Sequence, residues 1–327
     1  MQDNIMKAYG PVPSRRLGRS LGVNNIPPKS CTYSCVYCQL GRTIGMVSER
    51  GSFYKPEEIL EAVEARIAKA EKANESIDYL AFVPDGEPTM DINFGREIDL
   101  LKSCGFKIAV ITNSSLLWRE EVRDELQKAD WVSLKLDSLR DDVWRRCNRP
   151  HRALRLNAIL EGMLEFSKMY DGILVTETML VNDLNDGEEQ VREIADFLVK
   201  LNPAKAYVSV PTRPPAEKWV KQPGEEAVNR AYQIFSNVID QVECLIGYEG
   251  NAFASTGNVE EDLLSITAVH PMREEAVKAL LARSQGDWSI IDMLIGGGRL
   301  IETEYEGKRF YARRLRPLEG TSIDPVK

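Results

Sequence analysis

Cys31, Cys35 and Cys38 stand in the stretch 30–43 with the spacing Cys-x3-Cys-x2-Cys. Three thiolates this close in sequence can reach three corners of one metal centre. They do not close a tetrahedral zinc site alone, because such a site takes four ligands. They can hold a 4Fe–4S cluster, which normally takes four cysteines, and leave one iron open to a small chelating ligand. Two other readings stay open on these residues alone: a zinc site completed by a distant His or Asp, and a loop of structural thiols.

Composition narrows the rest. A chain of 327 residues suits one large domain, or one large and one small. Six cysteines are too few for a disulfide framework at this length, and two histidines, His151 and His270, are too few for a multi-histidine metal site. The net charge of −8 argues against wholesale coating of nucleic acid and leaves room for local basic patches. Without an apolar run of signal-peptide or membrane-span length, the expected location is the cytoplasm and no membrane partner is expected.

The elements that must position the cysteines follow a rhythm. A short strand is expected within 20–26. A helix starts at Lys55-Pro56, with Ile59, Leu60, Val63, Ile67 and Ala70 at helical spacing. Strands are expected at 77–83, 107–112, 131–136, 173–181 and 206–210, and helices at 93–104, 119–128, 154–169, 187–201 and 225–239. Alternation of this kind means βαβ units and a parallel sheet, an α/β fold whose site lies at the carboxyl ends of the strands. The residues after each strand are therefore the candidates. They include Asp85-Gly86-Glu87-Pro88 after the second strand, Thr112 to Ser115 after the third, Lys135 and Asp137 after the fourth, and Asn182, Asp183 and Asn185 after the fifth. Glu177 falls inside a strand that should be buried, so it needs a partner and counts as a site candidate. Arg15, Arg16 and Arg19 offer anion contacts near the site. Cys104, Cys147 and Cys244 are singletons expected to pack as small apolar groups.

The cysteine spacing, with aromatic Tyr37 just before the third cysteine, resembles the radical S-adenosylmethionine (radical SAM) superfamily. Tyr-Gly-Pro-Val-Pro-Ser-Arg-Arg-Leu-Gly at 9–18 and Gln-Leu-Gly-Arg-Thr at 39–43 look like a narrower group, labelled Fe–S oxidoreductases related to wyosine tRNA-base synthases. The resemblance implies a partial (β/α)6 barrel over 1–250, a 4Fe–4S cluster on Cys31, Cys35 and Cys38, and S-adenosylmethionine chelated to the fourth iron. It implies that Tyr37 lies near the adenine. It likens Asp85-Gly86-Glu87 to the Gly-Gly-Glu motif that holds the amino group of SAM, with Asp85 in place of the first glycine. Asn113, Lys135 and Asp137 would then contact the ribose hydroxyls or the SAM carboxylate. The implied chemistry is one-electron cleavage of SAM to methionine and a 5′-deoxyadenosyl radical, which abstracts a hydrogen from a substrate. An electron donor such as flavodoxin or ferredoxin is implied as a partner.

Beyond 258 the rhythm changes. Short helices at 259–266, 271–283 and 287–295 precede a hairpin, 300–305 and 310–315, around Glu306-Gly307. Three helices and a hairpin resemble a winged-helix module, giving a small C-terminal winged-helix-like domain over 258–327. Lys308, Arg309, Arg313, Arg314 and Arg316 fall in nine residues without an acid. Strand alternation would put Arg309, Tyr311 and Arg313 on one face, a combination suited to phosphate contact and base stacking. With the arginines between Arg140 and Arg155, this face is expected to grip a structured RNA. Radical modification of a protein or peptide partner is the second expectation. An Fe–S redox-sensing winged-helix regulator without turnover is the third.

Overall fold

The computed structural model describes residues 6–247, 253, 258–269 and 271–314. Strands β1 (Ala8–Ser14) and β2 (Gly18–Val23) form a hairpin that leads to β3 (Ser30–Cys31) and β4 (Gly45–Met46) in the cysteine loop. The repeating part then runs α1 (Pro56–Lys72), β5 (Tyr79–Phe82), α2 (Phe94–Lys102), β6 (Lys107–Thr112), α3 (Glu120–Leu126), β7 (Trp131–Lys135) and α4 (Asp141–Cys147). It continues as α5 (Leu156–Met169), β8 (Ile173–Met179), α6 (Glu188–Leu201), β9 (Lys205–Ser209), α7 (Glu225–Ser236) and β10 (Val242–Leu245). Eight strands make one sheet in the order β1-β2-β5-β6-β7-β8-β9-β10, parallel from β2 onward and antiparallel only at β1. This is the expected α/β half-barrel. Sequence analysis missed β1 and β10. β1 carries Gly10, Pro11 and Pro13, which read as loop, and is tolerated as an antiparallel edge. β10 is four residues long.

The strands are buried on both faces, and period-two alternation separates two kinds of residue. Leu80, Phe82, Ile108, Val110, Val132, Leu134, Leu174 and Val208 point outward into the main core, where buried helix residues such as Ile59, Ile98, Val122, Ile159 and Leu198 meet them. Ala81, Ala109, Trp131, Val175, Tyr207 and Leu245 point inward and pack around Leu17, from the turn between β1 and β2, as an apolar floor. One step further along the strands the inward positions turn polar: Ser133, Lys135, Glu177 and Ser209. The same alternation that builds the core therefore delivers charge to the barrel interior.

The C-terminal elements are α8 (Val259–Val269), β11 (Met272–Arg273), α9 (Glu274–Arg283), α10 (Ser289–Gly296), β12 (Leu300–Tyr305) and β13 (Lys308–Arg313). Their sheet is antiparallel, in the order β11-β13-β12. Their core includes Leu263, Val277, Leu280, Ile291 and Tyr311, and it takes in Tyr9 and Val12 of β1, so these elements cover the sheet's edge strand. The buried Arg66 of α1 ties the two parts together, donating to Gly10 O (2.8 Å), Asp262 Oδ1 (3.3 Å) and Ser265 Oγ (3.1 Å). Arg316 and the stretches 251–252 and 254–257 lie outside the described residues.

Candidate functional site

The cysteine loop and the segment after β5 are stitched together by backbone. Lys29 N–H donates to Asp85 O (2.9 Å) and Glu87 N–H to Ser30 O (3.2 Å). Gly86 lies between these bonds. A Cβ there would stand 1.7 Å from Ser30 O, so glycine is required by the close approach of the cysteine loop itself. This is a reason for glycine that the sequence alone did not offer, and Gly86 also lines the cavity described next. Glu87 is buried, and its carboxylate ties the segment after β5 to the end of β6. Its Oε1 accepts from Thr89 Oγ1 (2.6 Å) and Thr112 Oγ1 (2.7 Å), and its Oε2 from Asn113 N–H (2.7 Å). Burial pushes its carboxyl up, against these donors.

Cys31, Cys35 and Cys38 line one wall of a cavity of about 310 Å³ at the carboxyl ends of the strands, a size at the small end for ligand pockets, roughly 300–1,000 Å³. Tyr37, Gly86, Glu87, Asn113 and Lys135 line it too. Asp137 does not. Its Oδ2 accepts from the Tyr37 hydroxyl and from Asn148 Nδ2 (2.7 Å), and its Oδ1 from Met179 N–H (2.8 Å). It fixes the ring of Tyr37, over which Lys135 Nζ sits 5.0 Å from the centroid. Asn182 and Asp183 stay outside the cavity lining, while Asn185 caps the loop after β8 by donating to Asp137 O (2.9 Å) and Met179 O (2.8 Å).

Glu177 finds the partners its burial demands. It pairs with Arg16 and with Lys135 Nζ (2.9 Å), and accepts from Ser209 Oγ (3.0 Å). Burial pushes its carboxyl up, but Lys135, Arg16 and the hydrogen bonds outweigh burial and hold it at about 2. Arg15 also reaches the cavity, donating to Gly247 O. Arg19 does not; it pairs with Glu75. Arg15, Arg16, Lys29, Lys135 and Arg213 face Asp85, Glu87 and Glu177 around the lining, five cations to three acids.

The donor set fits an Fe–S cluster. Side-chain amides point at two of the sulfurs: Asn113 Nδ2 lies 3.4 Å from Cys31 Sγ and Asn148 Nδ2 3.5 Å from Cys35 Sγ. N–H groups aimed at thiolate sulfur are the usual outer support of such ligands. Burial pushes the Cys31 thiol up strongly and the Cys35 thiol to about 12, so thiolates here need positive charge from bound metal. Among the described residues no three His, Cys, Asp or Glu side chains converge on a single ion. A cluster instead spreads its thiolates over separate irons.

Sequence reasoning missed Lys29 and Asn148, while Arg213 lies in the polar segment 211–215 after β9 that the sequence places near the mouth, and it lines the cavity. Asn148 follows α4 as its cap and carries no periodic signal. Lys29 is a single lysine in a Pro-rich loop, visible only once the chain folds over it.

The basic runs behave differently. Arg140 pairs with Glu189 and Glu193, Arg145 with Asp141, and Arg149 with Glu217. Acids from other elements thus answer Arg140 and Arg149, an acid of its own helix answers Arg145, and Arg155 donates to the backbone oxygens of Arg152 and Leu154. In β13, Arg309 pairs with Glu274 (2.5 Å). Tyr311 is buried edge-on against Trp288 and donates to Glu302 Oε2 (3.0 Å), so the expected stacking face is not open there. Cys104 and Cys244 are half-buried and Cys147 is buried, none in a disulfide.

Residues 25–198 match the family model of the Radical SAM superfamily. A UPF0026 protein of Methanocaldococcus jannaschii is 49% identical over 320 residues, spanning 97% of this chain and 99% of its own. Another, of Helicobacter pylori, is 34% identical over 238 residues, 69% of this chain and 72% of its own. A radical SAM methyltransferase from Sphaerobacter thermophilus has a similar structure, with a TM-score of 0.54 at 18% identity over 69% of this chain and 66% of that one, a likeness of fold.

Proposed function

This chain belongs to the radical SAM superfamily, and we propose that it binds a 4Fe–4S cluster on Cys31, Cys35 and Cys38 and abstracts a hydrogen from a substrate seated over the half-barrel floor. When bound, the cluster and S-adenosylmethionine supply one-electron cleavage to methionine and a 5′-deoxyadenosyl radical. The chain's own residues bind and orient. The Asp85–Glu87 backbone holds the cysteine loop at the strand ends, and Asn113 and Asn148 support the sulfurs. Asp137 and Lys135 set the plane of Tyr37 for the adenine. Asn113, beside the cysteines on the cavity wall, stands where the cofactor would be held. The observation that carries this reading is the gathering of three cysteines, the Asp85-Gly86-Glu87 segment and Asn113 on one cavity.

An RNA nucleoside is the substrate this reading favours. Its support is the cationic excess of the cavity lining, which favours a substrate carrying phosphate, rather than the basic hairpin, whose Arg309 is paired. The order helix-strand-helix-helix-strand-strand supports a winged-helix-like domain from 258 on. α10 contains no Lys or Arg, which speaks against a groove-reading regulator. Anaerobically purified, reduced protein should convert SAM to 5′-deoxyadenosine, and Cys31→Ala should abolish this. Wild-type protein with cluster and SAM but no 5′-deoxyadenosine overturns the enzymatic reading. Affinity for total tRNA should fall steeply with salt; no such affinity at low salt makes a protein or peptide the substrate instead.

A further inference from the structure

Lys29 is 8% exposed, and its ammonium nitrogen makes no hydrogen bond. A buried cation without a partner is costly, and one kept in a cavity wall is placed there for something that the cavity receives. Its backbone is held in the left-handed region, φ +65°, a conformation a lysine rarely adopts unless its surroundings enforce it. The enforcement is visible: the Lys29 N–H is bonded to Asp85 O, across the seam that joins the cysteine loop to β5.

The side chain runs under the tight turn that carries Cys38. Gly41 N–H donates to Cys38 O (3.0 Å) and closes that turn. A Cβ on Gly41 would lie 3.3 Å from Lys29 Nζ, so glycine leaves the room the ammonium uses. Burial pushes the Lys29 ammonium's pKa down, against the opposing pull of Cys38, Asp85 and Cys31 nearby. The three cysteines are not served alike. Cys31 Sγ receives Asn113 Nδ2 and Tyr33 N–H, and Cys35 Sγ receives Asn148 Nδ2. Among the described residues no hydrogen-bond donor reaches Cys38 Sγ, and Lys29 is the orphan donor beside it.

We propose that Lys29 is a positioning residue for the cluster, donating to its sulfur at the Cys38 corner and raising its reduction potential. The inference rests on the cluster assigned above. One electron enters from an external low-potential donor of the flavodoxin or ferredoxin class, or from dithionite at the bench, and takes the cluster from its oxidised to its reduced state. No bond breaks in this step. The cluster gains one negative charge, and an ammonium held in a water-poor wall stabilises that charge more than the amides at Cys31 and Cys35 do.

The test is a redox titration of the iron-loaded full-length protein, followed by the EPR signal of the reduced cluster. Lys29→Met should bind as much iron as wild type and be at least tenfold harder to reduce, a fall in midpoint potential of about 59 mV for one electron. Lys29→Arg should recover more than half of that fall. A Lys29→Met potential within tenfold of wild type overturns the proposal. If Lys29→Met does not hold iron, Lys29→Gln and Lys29→Arg carry the comparison, and equal potentials for those two overturn it. Wild-type protein without iron would sink both the cluster reading and this one; wild-type protein with iron whose potential ignores Lys29 sinks only this one.

Discussion

The interior of the half-barrel and the C-terminal sheet are both rich in cations, yet they use them in opposite ways. In β13, Arg309 lies on the surface against Glu274 and the neighbouring aromatic is buried as core. In the barrel, Arg16 and Lys135 converge on one buried carboxylate, and Lys29 stands buried without a partner beside the cysteines. Linear density of charge is higher in the hairpin, but a surface cation answered by a surface acid is chemically spent. A site is marked by polar groups that the fold buries and leaves incomplete, because burial has a cost that a ligand must offset.

The sharpest way to break this comparison is at the cysteines. Cys35→Ala should lose the cluster and all SAM cleavage, measured as iron content and 5′-deoxyadenosine, while the hairpin tolerates every single charge change. Next comes Gly86→Val. The added side chain meets Ser30 O, so the cysteine loop must move and iron loading should fall severalfold. A variant that loads iron normally would show that the loop has slack there.

Glu177→Ala strips the shared partner from Arg16 and Lys135, leaving two cations in the barrel wall. Removing one partner of a buried ion pair costs about 3–5 kcal/mol, read by chemical denaturation. The same carboxylate predicts a pH effect. Its folded value of about 2 is below the ordinary 4.5, so its stabilisation is complete above about pH 4.5 and is lost as pH falls toward 2. Wild type should lose stability through that window, and Glu177→Ala should lose less. The smallest effect belongs to the hairpin. Arg309→Ala should change stability by about 0–1 kcal/mol, as for other exposed pairs, and leave SAM cleavage untouched. A large loss there would make the two regions alike.

The same contrast explains what the sequence made legible. The half-barrel could be read because period-two strands and helical stripes recur, and β6 falls on the residues expected for it. Glu177 could be read as a site residue because a carboxylate in a buried strand demands a partner. Asp137 was expected at a ligand, and the structure shows it holding Tyr37, Asn148 and Met179 N–H, since a residue just past a strand end points wherever the next loop needs a bond. Tyr311 was assigned to an open face, but β13 lies between β11 and β12 and the residues around it bury both Phe310 and Tyr311. Lys29 and Asn148 acquire meaning only through contacts made across the fold, which no local pattern encodes.

The central claim is that the half-barrel interior holds a cluster with one iron free of cysteine. The EPR spectrum of the reduced, anaerobically loaded protein, recorded with and without S-adenosylmethionine, tests it most directly. The account predicts a reduced-cluster signal from about four irons per chain, whose shape changes when SAM is added, and which Cys38→Ala eliminates. A signal indifferent to SAM, or a colourless protein holding stoichiometric zinc, would contradict it.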